Sequence, residues 1–186
     1  MDIDTNLTDE EIVQLIIDGN KEKFGDIMER YEPKLMRYVV YLIHDEPMAT
    51  DIVQETFIKS YKNLKSFKPK YKFSSWIYRI AHNEAMNAVK RDKHTISNLE
   101  IELLKEASYE TTVVQDIDRA ILKGNLNKCL NNIDVKYREV LMLQYYENMK
   151  YSEISDVLHI PVSTVGVWAA RGKAMLKKIC DKKGLK

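Results

Sequence analysis

Residues 155–173 read SDVLHIPVSTVGVWAARGK, and the reading of this stretch decides the fold. A helical pattern carrying Ile154, Val157 and Leu158 halts at His159-Ile160-Pro161 and restarts at once. Ser152 is placed to cap the first helix, and Pro161 to open the second, because the fixed φ and missing N–H of proline suit a helix start. In the second helix Val165, Ala169, Gly172, Leu176 and Ile179 recur at i, i+4, i+7, i+11 and i+14, which defines one buried face. The opposite face carries Ser163, Thr164, Val167, Ala170 and Arg171, with Lys173 behind them. Small and polar side chains there let a helix backbone approach base edges in a DNA groove. A short turn between two helices is equally a way to build a plain helical core. From the spacing alone, both readings stand.

Working outward, the 186 residues suffice for one ordinary domain or two small ones. Four prolines and six glycines leave room for long helices, so an all-α chain is expected. No apolar run approaches the ~20 residues of a membrane span, and Met1-Asp2-Ile3-Asp4 lacks the basic start of a signal peptide. The expected compartment is therefore the cytoplasm. Cys129 and Cys180 stand far apart and the histidines His44, His82, His94 and His159 are scattered, which suggests neither a disulfide frame nor a metal site. Net charge is only +1, yet it is unevenly spread: residues 1–66 carry 8 Lys/Arg against 14 Asp/Glu, and residues 67–94 carry 7 against 2. An acidic stretch, 95–134, precedes a second basic block, 135–186, with 10 against 5. Two basic blocks that each coincide with a special local pattern point toward nucleic acid.

Thr8 and Glu11 form a capping box, and the helix they open closes at Gly19-Asn20. Phe24, Ile27, Met28 and Tyr31 begin an apolar stripe that Leu35, Tyr38, Val39 and Leu42 continue, with Pro33 a predicted bend or break. A third helix begins near Pro47 and places Ala49, Ile52, Val53, Thr56, Phe57, Ser60, Tyr61 and Leu64 on one face. A fourth begins near Ser74-Ser75 and runs to about Asp92. Residues 93–117 are acidic, hydroxyl-rich and weakly periodic, and read as a linker with room for a short helix. Regularity returns at Ile117, Ala120, Ile121 and Leu126, and Ile133-Asp134 precedes a helix bearing Val140, Leu141 and Tyr145.

Two further patterns carry chemistry. On the back of the third helix Asp51, Gln54, Glu55, Ile58 and Lys62 form a continuous outer strip, in which Ile58 has no core to enter. Such a strip is either a solvated face with a stray apolar residue or a docking strip for a basic partner helix. In the loop 66–73, Phe67, Tyr71 and Phe73 are interleaved with Lys68, Lys70 and Lys72, and Trp76, Tyr78 and Arg79 follow. Rings that stack on unpaired bases contribute about 1–3 kcal/mol each while lysines hold phosphates, so the loop is expected to grip single-stranded DNA. Trp76 and Tyr78 admit a core reading as well. Asn83, Asn87, Lys90 and Arg91 extend a polar edge down the same helix toward bases and phosphates. Catalytic signatures such as a Walker loop, H-E-x-x-H or G-x-S-x-G do not occur, and no enzyme activity is expected.

Taken in order, DIVQETFIKSYKNL (51–64), FSSWIYRIAHNEAMNAVKR (73–91) and YREVLMLQYYENMKYSEISDVLHIPVSTV (137–165) resemble the extracytoplasmic-function (ECF) sigma factors of the sigma-70 family of bacterial RNA polymerase. The resemblance covers roughly residues 20–93 and 118–183. It implies a first domain, 1–93, that binds the polymerase clamp helices and melts the minus-ten promoter element. A linker, 94–117, would follow, then a helix-turn-helix domain, 118–186, that binds the minus-thirty-five element and the polymerase flap. By position, Asp51, Gln54, Glu55 and Ile58 match the clamp-binding patch. Phe67 to Phe73 match the loop that captures a flipped base, and Trp76, Tyr78, Arg79 and Asn83 match the melting helix. Residues 162–174, with Gly166 and Lys173 among them, match the recognition helix. The family implies no cofactor, no small-molecule substrate and, commonly, an inhibitory anti-sigma protein.

The recognition helix departs from the family's usual T-V-K/R-S-R-L-x-R-A-R at Gly166, Val167 and Trp168, and His159 stands where glycine is common in the turn. Base reading through thymine methyls or DNA shape is the expected consequence. The competing expectation from the residues is a stand-alone, dimeric helix-turn-helix regulator, which leaves the aromatic loop and the Ile58 strip without a task.

Overall fold

The computed structural model describes residues 7–96, 129–130 and 132–182, and every regular element among them is helical. Thr8 caps α1 (Asp9–Ile17): its hydroxyl accepts the Glu11 N–H while the Glu11 carboxylate accepts the Thr8 N–H at 2.7 Å. Gly19, at φ 117°, turns the chain out of this helix through a conformation that side chains rarely adopt. A short 3-10 turn, Lys21–Lys23, leads into α2 (Phe24–Ile43). Of the bend or break expected at Pro33, the break does not occur, for α2 runs through it uninterrupted. The helix pays for the missing N–H at one turn only, and Tyr31, Leu35, Tyr38 and Val39, buried on either side, hold it together.

His44 ends α2 in the left-handed region, Asp45 caps the Met48 N–H at 2.8 Å, and Pro47 sits in the first turn of α3 (Glu46–Asn63). The stripe predicted for this helix is buried from Ala49 to Leu64 except at Tyr61, which lies half-exposed and edge-on against Phe24 at 4.9 Å. After a 3-10 turn, Leu64–Ser66, and an irregular loop, α4 (Phe73–Ile96) begins one residue earlier than expected and extends past residue 93. The rest of the expected linker, and the stripe at Ile117, Ala120, Ile121 and Leu126, lie outside the described residues.

In the second domain Asp134 starts α5 (Val135–Tyr145), followed by α6 (Tyr151–Leu158) and α7 (Val162–Lys182). Ser152 is not the cap of α6. Lys150 holds that position, and the Glu153 carboxylate accepts its N–H at 2.6 Å. His159 adopts φ 53°, so the turn keeps the left-handed backbone although glycine is replaced. Pro161 receives the first N–H bonds of α7, from Thr164 at 2.8 Å and Val165 at 3.1 Å. Ile154, Val157 and Leu158 of α6 and Val165 and Ala169 of α7 are buried, and burying each large aliphatic side chain contributes roughly 1.5–3 kcal/mol. They join one apolar cluster with residues of α1 to α4, because α6 packs along α4.

Candidate polymerase and nucleic-acid interfaces

The outer strip of α3 is on the surface as its spacing requires. Asp51, Gln54 and Ile58 are exposed, Ile58 at 46%, and Glu55 is partly so. A groove of about 510 Å³ opens beside them, lined by Asp51, Glu55, Lys59, Glu84 and Arg91 with Met48 and Ile52 beneath. Lys59 bridges its walls, 2.7 Å from Glu84 and 3.6 Å from Glu55, and the Glu84 hydrogen bond raises its ammonium above the ordinary lysine range. Lys59 and Glu84 escape a reading of the sequence because they sit on different helices and meet only when α3 and α4 pack.

The loop between α3 and α4 corrects the sequence. Phe67 is 5% exposed and Phe73 0%, so neither ring is open to a base. They meet edge-to-face at 5.5 Å, Phe73 also packs on Tyr31 at 5.6 Å, and the Phe73 N–H donates to Glu10 at 2.9 Å. The two phenylalanines are the pins that fasten the loop to the first domain's core. Tyr71 is the exception, 50% exposed, with Lys70 Nζ 4.9 Å above its ring. Lys68, Lys70 and Lys72 are all exposed around it. Trp76 is partly buried against both phenylalanine rings at 5.6 Å, which resolves its two readings as a half-open edge of the same cluster.

Tyr78 is core, 1% exposed, and lies 5.2 Å from the Tyr38 ring. Its hydroxyl makes no well-formed hydrogen bond, and burial, followed by the nearby charge of Glu147, pushes the phenol far above its usual range. Arg79 is partly exposed and Asn83, Asn87, Lys90 and Arg91 are exposed, so the polar edge along α4 lies at the surface. His82 instead points to Glu139 of the second domain at 2.7 Å.

On α7 Ser163, Val167, Ala170, Arg171 and Lys173 are exposed, Val167 at 48%, while Thr164 and Gly166 are partly so. Trp168 turns inward and meets Tyr137 edge-on at 6.3 Å, which makes it packing rather than a lost DNA contact. A Cβ at Gly166 would lie 3.6 Å from the Tyr151 ring, an ordinary contact. Lys173 rests 5.3 Å over the ring of Tyr145, and a hydrogen bond to that phenol raises its ammonium. Tyr145, 28 positions away in the chain, carries no sequence signal of this pairing.

An exposed strip with an apolar centre, a half-exposed tyrosine among lysines, and a helix-turn-helix with small residues on its outer face are surfaces of the kind a transcription factor presents to protein and DNA. Residues 27–95 match the family described as sigma-70 region 2, and residues 123–176 that described as sigma-70 region 4. The ECF RNA polymerase sigma-E factor of Haemophilus influenzae is 30% identical over 183 residues, 92% of this chain and 94% of the relative. The ECF sigma factor SigW of Bacillus subtilis is 29% identical over 168 residues, 86% of this chain and 90% of the relative. Among solved structures, CnrH in complex with the cytosolic domain of CnrY superposes with a TM-score of 0.67 at 22% identity, over 94% of this chain and 97% of that one. The sigma factor RpoE of Bartonella quintana, solved with the anti-sigma factor NepR, gives 0.75 at 17% identity over 86% and 98%. The chain belongs to the sigma-70 family, in its ECF group. Its relatives span both domains, which removes the ground for a stand-alone helix-turn-helix regulator.

Proposed function

We propose that this ECF sigma factor docks on core RNA polymerase through Asp51, Gln54, Glu55 and Ile58 of α3. In the same reading Tyr71, Trp76 and the lysines at 68, 70 and 72 engage the opened minus-ten strand. Arg79, Asn83, Asn87, Lys90 and Arg91 flank that strand, and α7 reads the minus-thirty-five duplex. Flipping a base costs a few kcal/mol, and one stacked ring with cationic neighbours offsets about 1–3 kcal/mol of it. Phe67, Phe73 and Tyr78 act by holding Tyr71 and Trp76 in place. The protein works in the cytoplasm as an initiation factor, without chemistry of its own. Two structural neighbours are complexes with the cytosolic domain of CnrY and with the anti-sigma factor NepR, which supports an anti-sigma partner here as well.

The observation that carries the reading is Ile58, a large aliphatic side chain 46% exposed amid Asp51, Gln54 and Glu55 on the outward face of α3. An apolar anchor ringed by polar groups is the composition of an interface centre. The double variant Asp51→Ala, Gln54→Ala should bind core polymerase at least about tenfold more weakly, some 1.4 kcal/mol or more, with unchanged helicity. Wild-type affinity in that variant would contradict the assignment.

A further inference from the structure

Three neighbouring acids open α1, and each is used differently. Glu11 folds back on Thr8 to complete the capping box. Asp9 turns to α2, where it accepts Arg30 Nη1 at 2.9 Å and the Tyr31 hydroxyl at 2.5 Å. Glu10 reaches across 63 positions of chain and accepts the Phe73 N–H at 2.9 Å. Successive residues of a helix point about 100° apart, so a single turn can serve three directions.

Phe73 is the first residue of α4, and the first four N–H groups of a helix have no partner inside it. At α3 the side chain of the capping residue, Asp45, meets part of that need. Before α4 the corresponding residue is Lys72, whose side chain has no acceptor, and a carboxylate from another helix takes over. Asp9 supports the same residue from beneath, because the Tyr31 ring that it holds packs edge-on against Phe73 at 5.6 Å. α1 also packs against both ends of the loop, the 3-10 turn Leu64–Ser66 and α4.

What α1 clasps is the short segment that displays Tyr71. Phe67 and Phe73 are sealed at either end of residues 68–72, and the Tyr71 N–H closes a turn on the Lys68 carbonyl at 3.0 Å. Tyr71 then emerges half-exposed, two residues ahead of the bond to Glu10. A carboxylate beside a loop whose lysines meet phosphates opposes binding by its charge, so its favourable contribution lies in what it holds.

We propose that Glu10, with Asp9 behind it, is a positioning residue for base capture: it fixes the start of α4 so that Tyr71 is presented in the geometry that receives the opened strand. The inference rests on the sigma-factor reading for its purpose, while the clasp itself is a property of the free chain. α1 lies ahead of residues 27–95, which match sigma-70 region 2, so part of the strand-binding apparatus stands outside that match. A loop already held in its bound shape spares binding the cost of ordering it.

Two measurements on the full chain test this. In the free protein, amide hydrogen exchange followed by NMR should show the Phe73 N–H protected in the parent and in Glu10→Gln, whose amide oxygen accepts the same bond. In Glu10→Ala that proton should exchange at least about fivefold faster. In complex with core polymerase, Glu10→Ala should weaken binding of a template already melted across the minus-ten element by about threefold to tenfold, with polymerase affinity unchanged and Glu10→Gln restoring the loss. In a Tyr71→Ala background the same substitution should cost nothing further, since Glu10 acts through Tyr71. Equal exchange at Phe73 in all three chains would overturn the clasp. Undiminished binding by Glu10→Ala, or an equal loss with and without Tyr71, would overturn its role. A parent complex that does not distinguish melted from duplex template would strike the sigma-factor reading, and with it the purpose assigned to Glu10, whatever the exchange at Phe73.

Discussion

The two stretches expected to touch DNA behave differently once folded. On α7 the outward residues Ser163, Val167, Ala170 and Arg171 and the inward residues Val165, Ala169 and Gly172 fall where their spacing put them. In the loop before α4, by contrast, three aromatics alternate with three lysines, yet Phe67 and Phe73 are sealed while Tyr71 is half-exposed. The difference is one of constraint. A helix repeats every 3.6 residues, so one buried side chain fixes where its neighbours point. An irregular loop has no such period, and its rings go to whatever cavity the neighbouring helices leave.

The largest effect should come from setting the loop's two roles against each other. Phe73→Ala removes a fully buried ring and should lower unfolding free energy by about 3–5 kcal/mol in denaturant titration. Tyr71→Ala should change stability by less than about 0.5 kcal/mol. It should instead cost about 1–3 kcal/mol in binding of a pre-melted promoter by the polymerase complex. Were Tyr71 as costly to stability as Phe73, the division of the loop into pins and a reader would be wrong.

For α7 the sharper probe is salt. Arg171→Gln should reduce the slope of log affinity against log salt by about 0.9, the share of one phosphate contact. An unchanged slope removes Arg171 from the contacts. Smaller still is the contrast between two glycines of α7. A Cβ at Gly172 would meet Leu141 Cδ1 at 3.0 Å and Tyr137 Cβ at 3.3 Å, and the second atom belongs to a side-chain root that cannot swing away. Gly172→Ala should therefore destabilise by about 1 kcal/mol despite alanine's better helix propensity. Gly166→Ala, with ordinary space around it, should stabilise by about 0.5–1 kcal/mol in the same thermal melts.

The smallest expected effect concerns pH. Burial, then the Arg138 guanidinium, lowers the pKa of His44, and its Nε2 accepts the Arg138 hydrogen bond as a neutral ring. Unfolding returns it to about 6.5, so below that pH the unfolded chain holds more protons than the folded one. The contribution of His44 is thus complete above pH ~6.5 and is lost as pH falls toward its folded value. Melting temperatures between about pH 7.5 and 5.5 should fall further for the wild type than for His44→Gln. Parallel curves would show that the ring does not titrate against Arg138.

Much of the fold was legible because helices announce themselves: the Thr8–Glu11 cap, the α3 stripe and the Pro161 restart all lie within a turn or two of sequence. At Pro33 the sequence left a break open, and α2 runs on because buried residues flank the proline on both sides. Ser152 misled because capping hydroxyls are common, while the Glu153 carboxylate at N3 was the better sign of where α6 begins. The α3 strip and the outer face of α7 could be read from periodicity. The meeting of Lys59 with Glu84, of Lys173 with Tyr145, and of Glu139 with Tyr38 and His82 could not, since each joins helices whose register only packing decides.

The most direct test of the whole account is run-off transcription with purified core polymerase on promoters selected from genomic fragments, with permanganate footprinting of unpaired thymines. The account predicts a discrete transcript, thymines opened in the minus-ten region, and loss of that opening in Tyr71→Ala while the protein stays folded. No discrete transcript, or opening that is indifferent both to Tyr71 and to the Asp51, Gln54 pair, would contradict it.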